Sequence, residues 1–277
     1  MKIELASSYG FCYGVKRAIE IAEKHQNSFT YGPLIHNKDE INRLKIGFNI
    51  GLVEKMEDIN SKNTIVIRTH GIPKNELAAL KKQDNKIIDA TCPYVTTPQN
   101  IVAQMSSEGY SVVIFGDKEH PEIKGVVSYA EHQKDTFIVL KPEELEMLPL
   151  KNRVALVSQT TKKPEDFLKI SNALILTHKE VRVFNTICNA TFENQDAAAA
   201  LGERADIMIV IGGKHSSNTK MLHSISKKNC KDSYLIENEN ELEKSWFKNK
   251  NLCGISAGAS TPDWIIQNVI KKIEAII

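Results

Sequence analysis

The chain has 277 residues, of which 42% are hydrophobic, 36 are lysine or arginine and 34 are aspartate or glutamate. This length and composition are typical of a globular protein with a substantial core, as one large domain or two to three smaller ones. The formal net charge is only +2, and the two signs are interspersed. The sequence therefore offers no extended basic field, and we do not expect a nucleic acid as a partner.

The opening segment MKIELASSYGFCYG has no apolar stretch long enough for a signal peptide. Nowhere does the chain approach the run of about 18 apolar residues that a bilayer span requires. We therefore expect a cytoplasmic protein with no membrane partner. The five cysteines are far apart and form no CxxC pair, so free thiols are expected rather than disulfides or a local zinc finger.

Short β-branched runs alternate with helical patterns along the whole chain. Helices are predicted over residues 15–23, 74–82 and 197–204. Strands that alternate with helices predict an α/β fold with mainly parallel sheets. In chain order, the predicted strands are SFTY, TIVIR, KIID, SVVIFG, TFIVL, VALVS, VRVF, DIMIVIGG, SYLIE and LCGIS.

Three strand ends can be laid over one another: YGPLIHNKDE, FGDKEHPEIK and IGGKHSSNTK. Each has a glycine followed four residues later by a polar side chain, and a later strand in each unit ends in a second polar loop. The first set is Gly32 with His36, Gly116 with His120 and Gly212 with Ser216. The second set is His70, Thr160 and Ser260.

A third kind of strand end carries a cysteine, at Cys92 and Cys188, but the last unit has none. The segment IELASSYGFC supplies a short strand before Cys12, so we predict that this strand completes the last unit. The predicted domains are residues 13–95, 96–190 and 191–277, the last completed by 1–12. They are expected to be three similar α/β units arranged pseudo-threefold. The alternative is three generic strand-to-helix turns.

Cys12, Cys92 and Cys188 each follow a strand and precede a predicted helix, whereas Cys230 precedes a strand and Cys253 lies within one. The carboxyl ends of parallel strands form the ligand crevice of such sheets. The first three are therefore predicted metal ligands and the other two packed thiols. Three thiolates suit either a zinc with an open position or an iron–sulfur cluster, and the residues alone leave both open.

The predicted centre collects compact hydrogen-bond donors in glycine-containing loops, which suits phosphate oxygens. The segment GGKHSSNTK is typical of an anion site at a helix start, although SSN is equally typical of a helix cap. In HPEIK, Pro121 is expected at the first helical position and Glu122 in the first turn, where Glu122 can deliver protons if it faces this centre. The candidate binding residues are His36, His70, His120, Thr160, Ser216, Ser217, Asn218 and Ser260.

The chain resembles the 4-hydroxy-3-methylbut-2-enyl diphosphate reductases, which perform the last step of the non-mevalonate isoprenoid pathway. The resemblance is carried, in order and across the whole chain, by GFCYGVKRAI, IHNKDEI, RTHGIP, DATCPYV, EHPEIKG, SQTTKKP, NTICNAT, SSNT and SAGASTPD. It implies three α/β units around one [4Fe-4S] cluster per chain, held by Cys12, Cys92 and Cys188.

The resemblance further implies that two electrons and protons remove the substrate's hydroxyl as water, giving isopentenyl and dimethylallyl diphosphates. Glu122 would supply protons, Thr160 would orient the hydroxyl, and the remaining candidate residues would hold the diphosphate. No dinucleotide fingerprint is visible, so an external donor such as ferredoxin or flavodoxin is expected. A zinc hydrolase and a non-catalytic cluster-bearing sensor are the alternatives from other classes.

Overall fold

The computed structural model describes residues 1–35 and 37–276, and for Ser217 the backbone alone. One predicted binding residue, His36, lies outside the described residues. The strands are β1 (Lys2–Leu5), β2 (Phe29–Tyr31), β3 (Gly51–Val53), β4 (Thr64–Ile67), β5 (Lys86–Asp89), β6 (Ser111–Phe115), β7 (Thr136–Val139), β8 (Arg153–Ser158), β9 (Glu180–Val183), β10 (Ile207–Ile211), β11 (Ser233–Ile236) and β12 (Leu252–Ala257).

Helices connect most consecutive strands, as the alternating sequence pattern predicts. Within residues 1–35 and 37–276, no helix is both long and apolar enough to cross a membrane. The α-helices are α1 (Tyr13–Glu23), α2 (Lys38–Phe48), α3 (Lys74–Lys82), α4 (Pro93–Ser107), α5 (Pro121–Val127), α6 (Pro164–Thr177), α7 (Ala190–Gly202), α8 (Ser217–Asn229) and α9 (Asp263–Ile276).

The strands form three four-stranded sheets, and all neighbouring strands of these sheets pair in parallel. The first sheet has the order β3-β2-β4-β5, the second β7-β6-β8-β9, and the third β11-β10-β12-β1. The first two sheets therefore have the spatial order second, first, third, fourth in chain order, and the third sheet has the same order when β1 is counted as its fourth strand. The predicted α/β class with three similar units is therefore confirmed.

The first strand takes the fourth position of the third sheet, next to β12. Lys2 pairs with Leu252 and Leu5 with Ile255. The same ladder extends beyond the strands, because the N–H of Ala6 donates to the carbonyl of Ile255 at 2.8 Å.

Backbone hydrogen bonds repeat across the three sheets at matching positions. The glycine after each first strand donates its N–H to the last residue of the neighbouring second strand. These bonds join Gly32 to Val53 (2.8 Å), Gly116 to Val139 (3.0 Å) and Gly212 to Ile236 (2.9 Å). This repetition shows that the weak sequence similarity reflects one supersecondary unit used three times.

Burial follows the strand positions within each sheet. All five residues of β6 and all five of β10 are buried, as expected for inner strands of a parallel sheet covered on both faces. Isoleucine, valine and leucine side chains dominate a core cluster against each sheet. These clusters hold the carboxyl ends of the strands in place, which is where the candidate residues follow.

The described chain divides into two compact units. One contains Met1–Lys16, Ile35–Gly47 and Asn189–Ile277, and the other contains Arg17–Leu34 and Phe48–Cys188. The first and second sheets thus belong to one unit and the third sheet to the other. The three domain boundaries proposed from the sequence stay a prediction.

A buried carboxylate explains why most of α2 belongs with the third sheet although α2 lies between β2 and β3 in sequence. Glu40 is 1% exposed and accepts two hydrogen bonds from Arg43, at 2.9 and 2.6 Å. It also accepts a 2.7 Å bond from the indole N–H of Trp264 in α9. Asn37 caps the same helix, because its side chain accepts from the Glu40 N–H at 2.9 Å.

We expect Glu40→Ala to lower the free energy of unfolding by about 2–4 kcal/mol, because it removes a buried carboxylate that accepts from the Arg43 guanidinium and from the Trp264 indole N–H. Urea unfolding of the two proteins would measure the difference. Asp39→Ala is the matched control, since Asp39 is exposed on the same helix and should change stability by less than about 0.5 kcal/mol. Equal losses in the two variants would contradict a specific role of Glu40.

Candidate functional site

The strand order places one topological switch point in each sheet, between its first and third strands. Ligands of open parallel sheets bind beyond the carboxyl ends of the strands at such points. The described candidates follow these strand ends: His120 follows β6 and Ser216 follows β10, while His70, Thr160 and Ser260 follow β4, β8 and β12. The fourth strands β5, β9 and β1 precede Cys92, Cys188 and Cys12.

Each of these three cysteines is fixed by the same backbone hydrogen bond. The N–H of the cysteine donates to a carbonyl in the loop after the third strand of its own sheet. The bonds run from Cys92 to Thr69 (2.9 Å), from Cys188 to Thr160 (2.8 Å) and from Cys12 to Ala259 (3.2 Å). The three thiols therefore share one local environment. Cys12 and Cys92 lie directly before a helix, and one residue separates Cys188 from the next helix.

The cysteines fall into two groups by burial. Cys12, Cys92 and Cys188 are partly exposed, whereas Cys230 and Cys253 are buried. Burial raises the pKa of the Cys253 thiol to about 12 and raises the pKa of Cys230 as well. Both buried thiols therefore stay protonated at neutral pH and are poor metal ligands, because the thiolate is the ligand form.

In the second sheet, a buried carboxyl group links the loops after β6 and β8. Glu122 is 1% exposed and lies in the first turn of α5, which starts with Pro121 as the sequence predicts. The Thr160 N–H donates to Glu122 Oε1 at 2.8 Å, and the Thr160 hydroxyl donates to Oε2 at 2.7 Å. Both carboxyl oxygens are therefore held by one residue of the neighbouring loop.

Burial raises the pKa of the Glu122 carboxyl above its ordinary value, although the two hydrogen bonds from Thr160 favour the anion and oppose the shift. No cation is among the groups that shift it. Glu122 thus keeps its proton to a higher pH than an exposed glutamate, which is a property of a general acid.

The loops after β4 and β6 bring two of the predicted binding histidines together. The rings of His70 and His120 lie edge to face with their centroids 5.7 Å apart. His120 is the N-cap of α5, where its Nδ1 accepts from the Glu122 N–H at 3.2 Å. Gly71, the residue after His70, has φ +70°, a left-handed conformation that favours glycine and sets the direction of this loop.

In the third sheet, the segment SSNT begins α8. Ser216 is the N-cap, and its hydroxyl accepts from the Thr219 N–H at 3.3 Å, so the helix-cap interpretation of this segment is confirmed for Ser216. Gly212 and Gly258 follow β10 and β12, and a Cβ at either position would meet Thr219 Oγ1. The helix N-terminus therefore packs directly against both strand-end loops.

The structure corrects the alignment of the second unit by one residue. Sequence comparison placed Thr160 level with His70 and Ser260. The cysteine hydrogen bonds instead place Thr160 level with Thr69 and Ala259, so the position of His70 and Ser260 falls on Thr161. Thr160 differs from Thr69 and Ala259 because its hydroxyl donates to the carboxyl group of Glu122 in α5.

Sequence reasoning missed two residues beside these loops. The guanidinium of half-buried Arg68 packs against Gly32, and its Nε donates to the Gly71 carbonyl at 3.3 Å, which joins the loops after β2 and β4. Gln99, 4% exposed in α4, approaches the other side of Gly71. Arg68 was visible in the RTHG segment, whereas nothing around Gln99 in the sequence marks it.

Within the described residues, no three side chains of His, Cys, Asp or Glu converge as they do around a single metal ion. An iron–sulfur cluster spaces its ligands more widely, because each cysteine binds a different iron atom.

The fold and these strand ends define an α/β protein of three similar parallel units, whose loops carry partly exposed thiols and short hydrogen-bond donors beside the buried carboxyl group of Glu122. The family model described as LytB protein matches residues 3–274. The chain belongs to this family.

Relatives of high identity match the whole chain. A 4-hydroxy-3-methylbut-2-enyl diphosphate reductase from a Sulfurovum species is 75% identical over 276 residues and covers 100% of both chains. One of the same name from a Nitratiruptor species is 63% identical and covers 100% of this chain and 99% of the relative.

Solved structures match as well. One of (E)-4-hydroxy-3-methyl-but-2-enyl diphosphate reductase, described as the terminal enzyme of the non-mevalonate pathway, has a TM-score of 0.81 and 42% identity over 99% of each chain. One of E-1-hydroxy-2-methyl-but-2-enyl-4-diphosphate reductase from Plasmodium falciparum has a TM-score of 0.83 at 27% identity, covering 99% of this chain and 87% of that one.

The raised pKa of Glu122 predicts a pH-dependent difference in stability between the protein and Glu122→Gln. As pH rises above 4.5, the usual value, the unfolded chain releases this proton while the folded protein retains it. The carboxyl group therefore stabilises the fold less and less until pH passes the folded-state pKa. Glutamine has no such dependence, so the stability of Glu122→Gln relative to the original protein should increase with pH.

Urea unfolding at several pH values between about 5 and 8 measures this difference. Glu119→Gln is the control, because Lys124 holds the pKa of the exposed Glu119 below its usual value. Its stability difference should stay constant over the same range. A flat difference for Glu122→Gln as well would show that burial does not hold the proton on Glu122.

Proposed function

We propose that this chain is a 4-hydroxy-3-methylbut-2-enyl diphosphate reductase. It would convert (E)-4-hydroxy-3-methylbut-2-enyl diphosphate, two electrons and two protons into water and isopentenyl or dimethylallyl diphosphate, the last step of the non-mevalonate pathway. Relatives of that name match the full length of the chain. The observation that carries the proposal is the buried acid Glu122, held on both oxygens by Thr160 beside His120.

The donor set of the three partly exposed cysteines fits an iron–sulfur cluster. Each thiol lies at or just before a helix N-terminus, where the positive end of the helix dipole favours a negatively charged cluster. The proposal assigns Cys12, Cys92 and Cys188 to one [4Fe-4S] cluster. When bound, it would pass on the two electrons one at a time from an external donor and would offer an open iron position for the substrate hydroxyl.

Glu122 is proposed to hold the proton that leaves with the hydroxyl as water. Its burial raises the pKa of the carboxyl group and so favours the protonated acid, and the hydrogen bonds from Thr160 fix the direction of the carboxyl group. Loss of the proton leaves a carboxylate that these two donors already stabilise, so the proton can be transferred from this buried group. The hydroxyl of Thr160 is proposed to orient the departing group through this same contact.

The diphosphate is proposed to bind the strand-end donors at the switch points. His70 and His120 supply ring N–H groups from two neighbouring loops. The N-terminus of α8 supplies backbone N–H groups and the positive end of a 13-residue helix. The full set assigned to the substrate is His36, His70, His120, Thr160, Ser216, Ser217, Asn218 and Ser260.

The electrons are proposed to come from a separate carrier protein such as ferredoxin or flavodoxin, because the sequence has no dinucleotide fingerprint. The proposed compartment is the cytoplasm.

Glu122→Gln tests the acid directly. Turnover of 4-hydroxy-3-methylbut-2-enyl diphosphate, measured anaerobically with a chemical reductant, should fall by at least about a hundredfold, the usual scale of a general acid's contribution. The affinity for inorganic diphosphate and the iron content should stay unchanged, since the amide preserves size and shape. Near-normal turnover in this variant would reject the assigned role.

The ligand assignment is tested by iron and acid-labile sulfide in protein purified without oxygen. About four of each per chain are expected for a [4Fe-4S] cluster. Cys92→Ala should lose most of both, whereas Cys253→Ala and Cys230→Ala should retain them because these thiols are buried and protonated. Stoichiometric zinc without sulfide would favour a zinc hydrolase and reject the reductase.

A further inference from the structure

Thr219 carries a buried hydroxyl with no hydrogen-bond partner in the described part of the chain. The residue is 1% exposed and occupies the third position of α8, directly after Ser216, Ser217 and Asn218. Its N–H is used, because it donates to Ser216, but its Oγ1 is not. No helical carbonyl four residues earlier can accept from the hydroxyl, since α8 begins at Ser217.

The equivalent position of the second unit shows that packing does not need this hydroxyl. Helix α5 has His120 as its N-cap and Ile123 in the third helical position, just as α8 has Ser216 and Thr219. Ile123 is 0% exposed, and its Cδ1 lies 2.6 Å from the Cβ that a side chain at Gly116 would have. Thr219 fills the same slot against Gly212, where the corresponding distance to Oγ1 is 2.8 Å.

The hydroxyl points into the narrow space at the switch point of the third sheet. A Cβ at Gly258 would collide with Thr219 Oγ1, so glycines after both β10 and β12 leave room around this one oxygen. The neighbouring Thr261 also faces Gly212, but its hydroxyl is used, because it donates to the Ile211 carbonyl at 3.0 Å. Among the described residues here, Thr219 is thus the unused donor between the loops that carry Ser216 and Ser260.

A buried hydroxyl without a partner destabilises a fold, whereas an apolar group of the same shape does not. Valine would fill this slot without that cost, so packing alone does not account for the hydroxyl. The described surroundings offer it no acceptor, and it lies at the N-terminus of a 13-residue helix, where anions bind. The oxygens of a diphosphate are negatively charged hydrogen-bond acceptors, which suits both the hydroxyl and the helix N-terminus.

We propose that the Thr219 hydroxyl is a further hydrogen-bond donor to the diphosphate. This inference rests on the proposed function, because it extends the set of residues that hold the same group. Since Thr219 is nearly fully buried, the loops at Gly212 and Gly258 must part slightly to admit an oxygen. Glycine at both positions lets the backbones adjust without moving a side chain.

The test is Thr219→Val, which replaces the hydroxyl by a methyl group of similar shape. Binding of inorganic diphosphate to the anaerobic holoenzyme should weaken about tenfold or more, as expected for one lost bond to a charged acceptor. KM for the substrate should rise while kcat changes little, because Glu122 and Thr160 are untouched. The melting temperature should stay equal or rise, and Thr219→Ser should restore diphosphate affinity.

A purely structural threonine gives the opposite result: a lower melting temperature with unchanged diphosphate affinity overturns the proposal. Weaker binding that accompanies a lower melting temperature also overturns it. Ser226→Ala is the matched control, because Ser226 has a buried hydroxyl without a described partner in the same helix, two turns beyond its N-terminus. This variant should bind diphosphate like the original protein.

Ser260→Ala separates failure of this inference from failure of the proposed function. If Ser260→Ala weakens diphosphate binding and Thr219→Val does not, the site stands and the role of Thr219 is rejected. If the unchanged holoenzyme does not bind inorganic diphosphate, the proposed diphosphate site is rejected, and the role of Thr219 is rejected with it.

Discussion

The parallel pairing of four strands in the order second, first, third, fourth is the constraint on which the rest of the structure depends. It puts the ends of the first and third strands side by side in each sheet, and it lets the cysteine after the fourth strand bond to the loop after the third. Because the three sheets share this strand order, each provides one thiol and one pair of polar loops. The units then differ chemically in only a few side chains.

Those differences are concentrated in the first turn of the helix after each first strand. The second unit places a glutamate at the second helical position and an isoleucine at the third, while the third unit places asparagine and threonine there. Burial of this glutamate against Thr160 raises the pKa of its carboxyl group. Asparagine and threonine on the same scaffold make a neutral set of donors. A repeated backbone therefore carries a buried carboxyl group in one unit and neutral polar side chains in another.

Much of this fold could be predicted from the sequence, because most strands are apolar runs that end in recognisable polar loops. Strand β3 was missed since Gly51, Leu52 and Val53 form too short a run to give a pattern. The bond between Glu40 and Trp264 joins residues far apart in sequence, so no local signal marks it. The unused hydroxyl of Thr219 was likewise invisible, because only the packing shows which donors already have a partner.

The position of β1 has a consequence for the order of events during synthesis. Residues Lys2–Leu5 find their partner only in β12, so the segment that carries Cys12 stays unpaired until Leu252–Ala257 have left the ribosome. Such a distant pairing is slow to form, because a very long loop must close first. The sheets that present Cys92 and Cys188 are complete much earlier. Cys12 therefore reaches its place last, and the proposed three-cysteine centre would be completed only once β12 has formed.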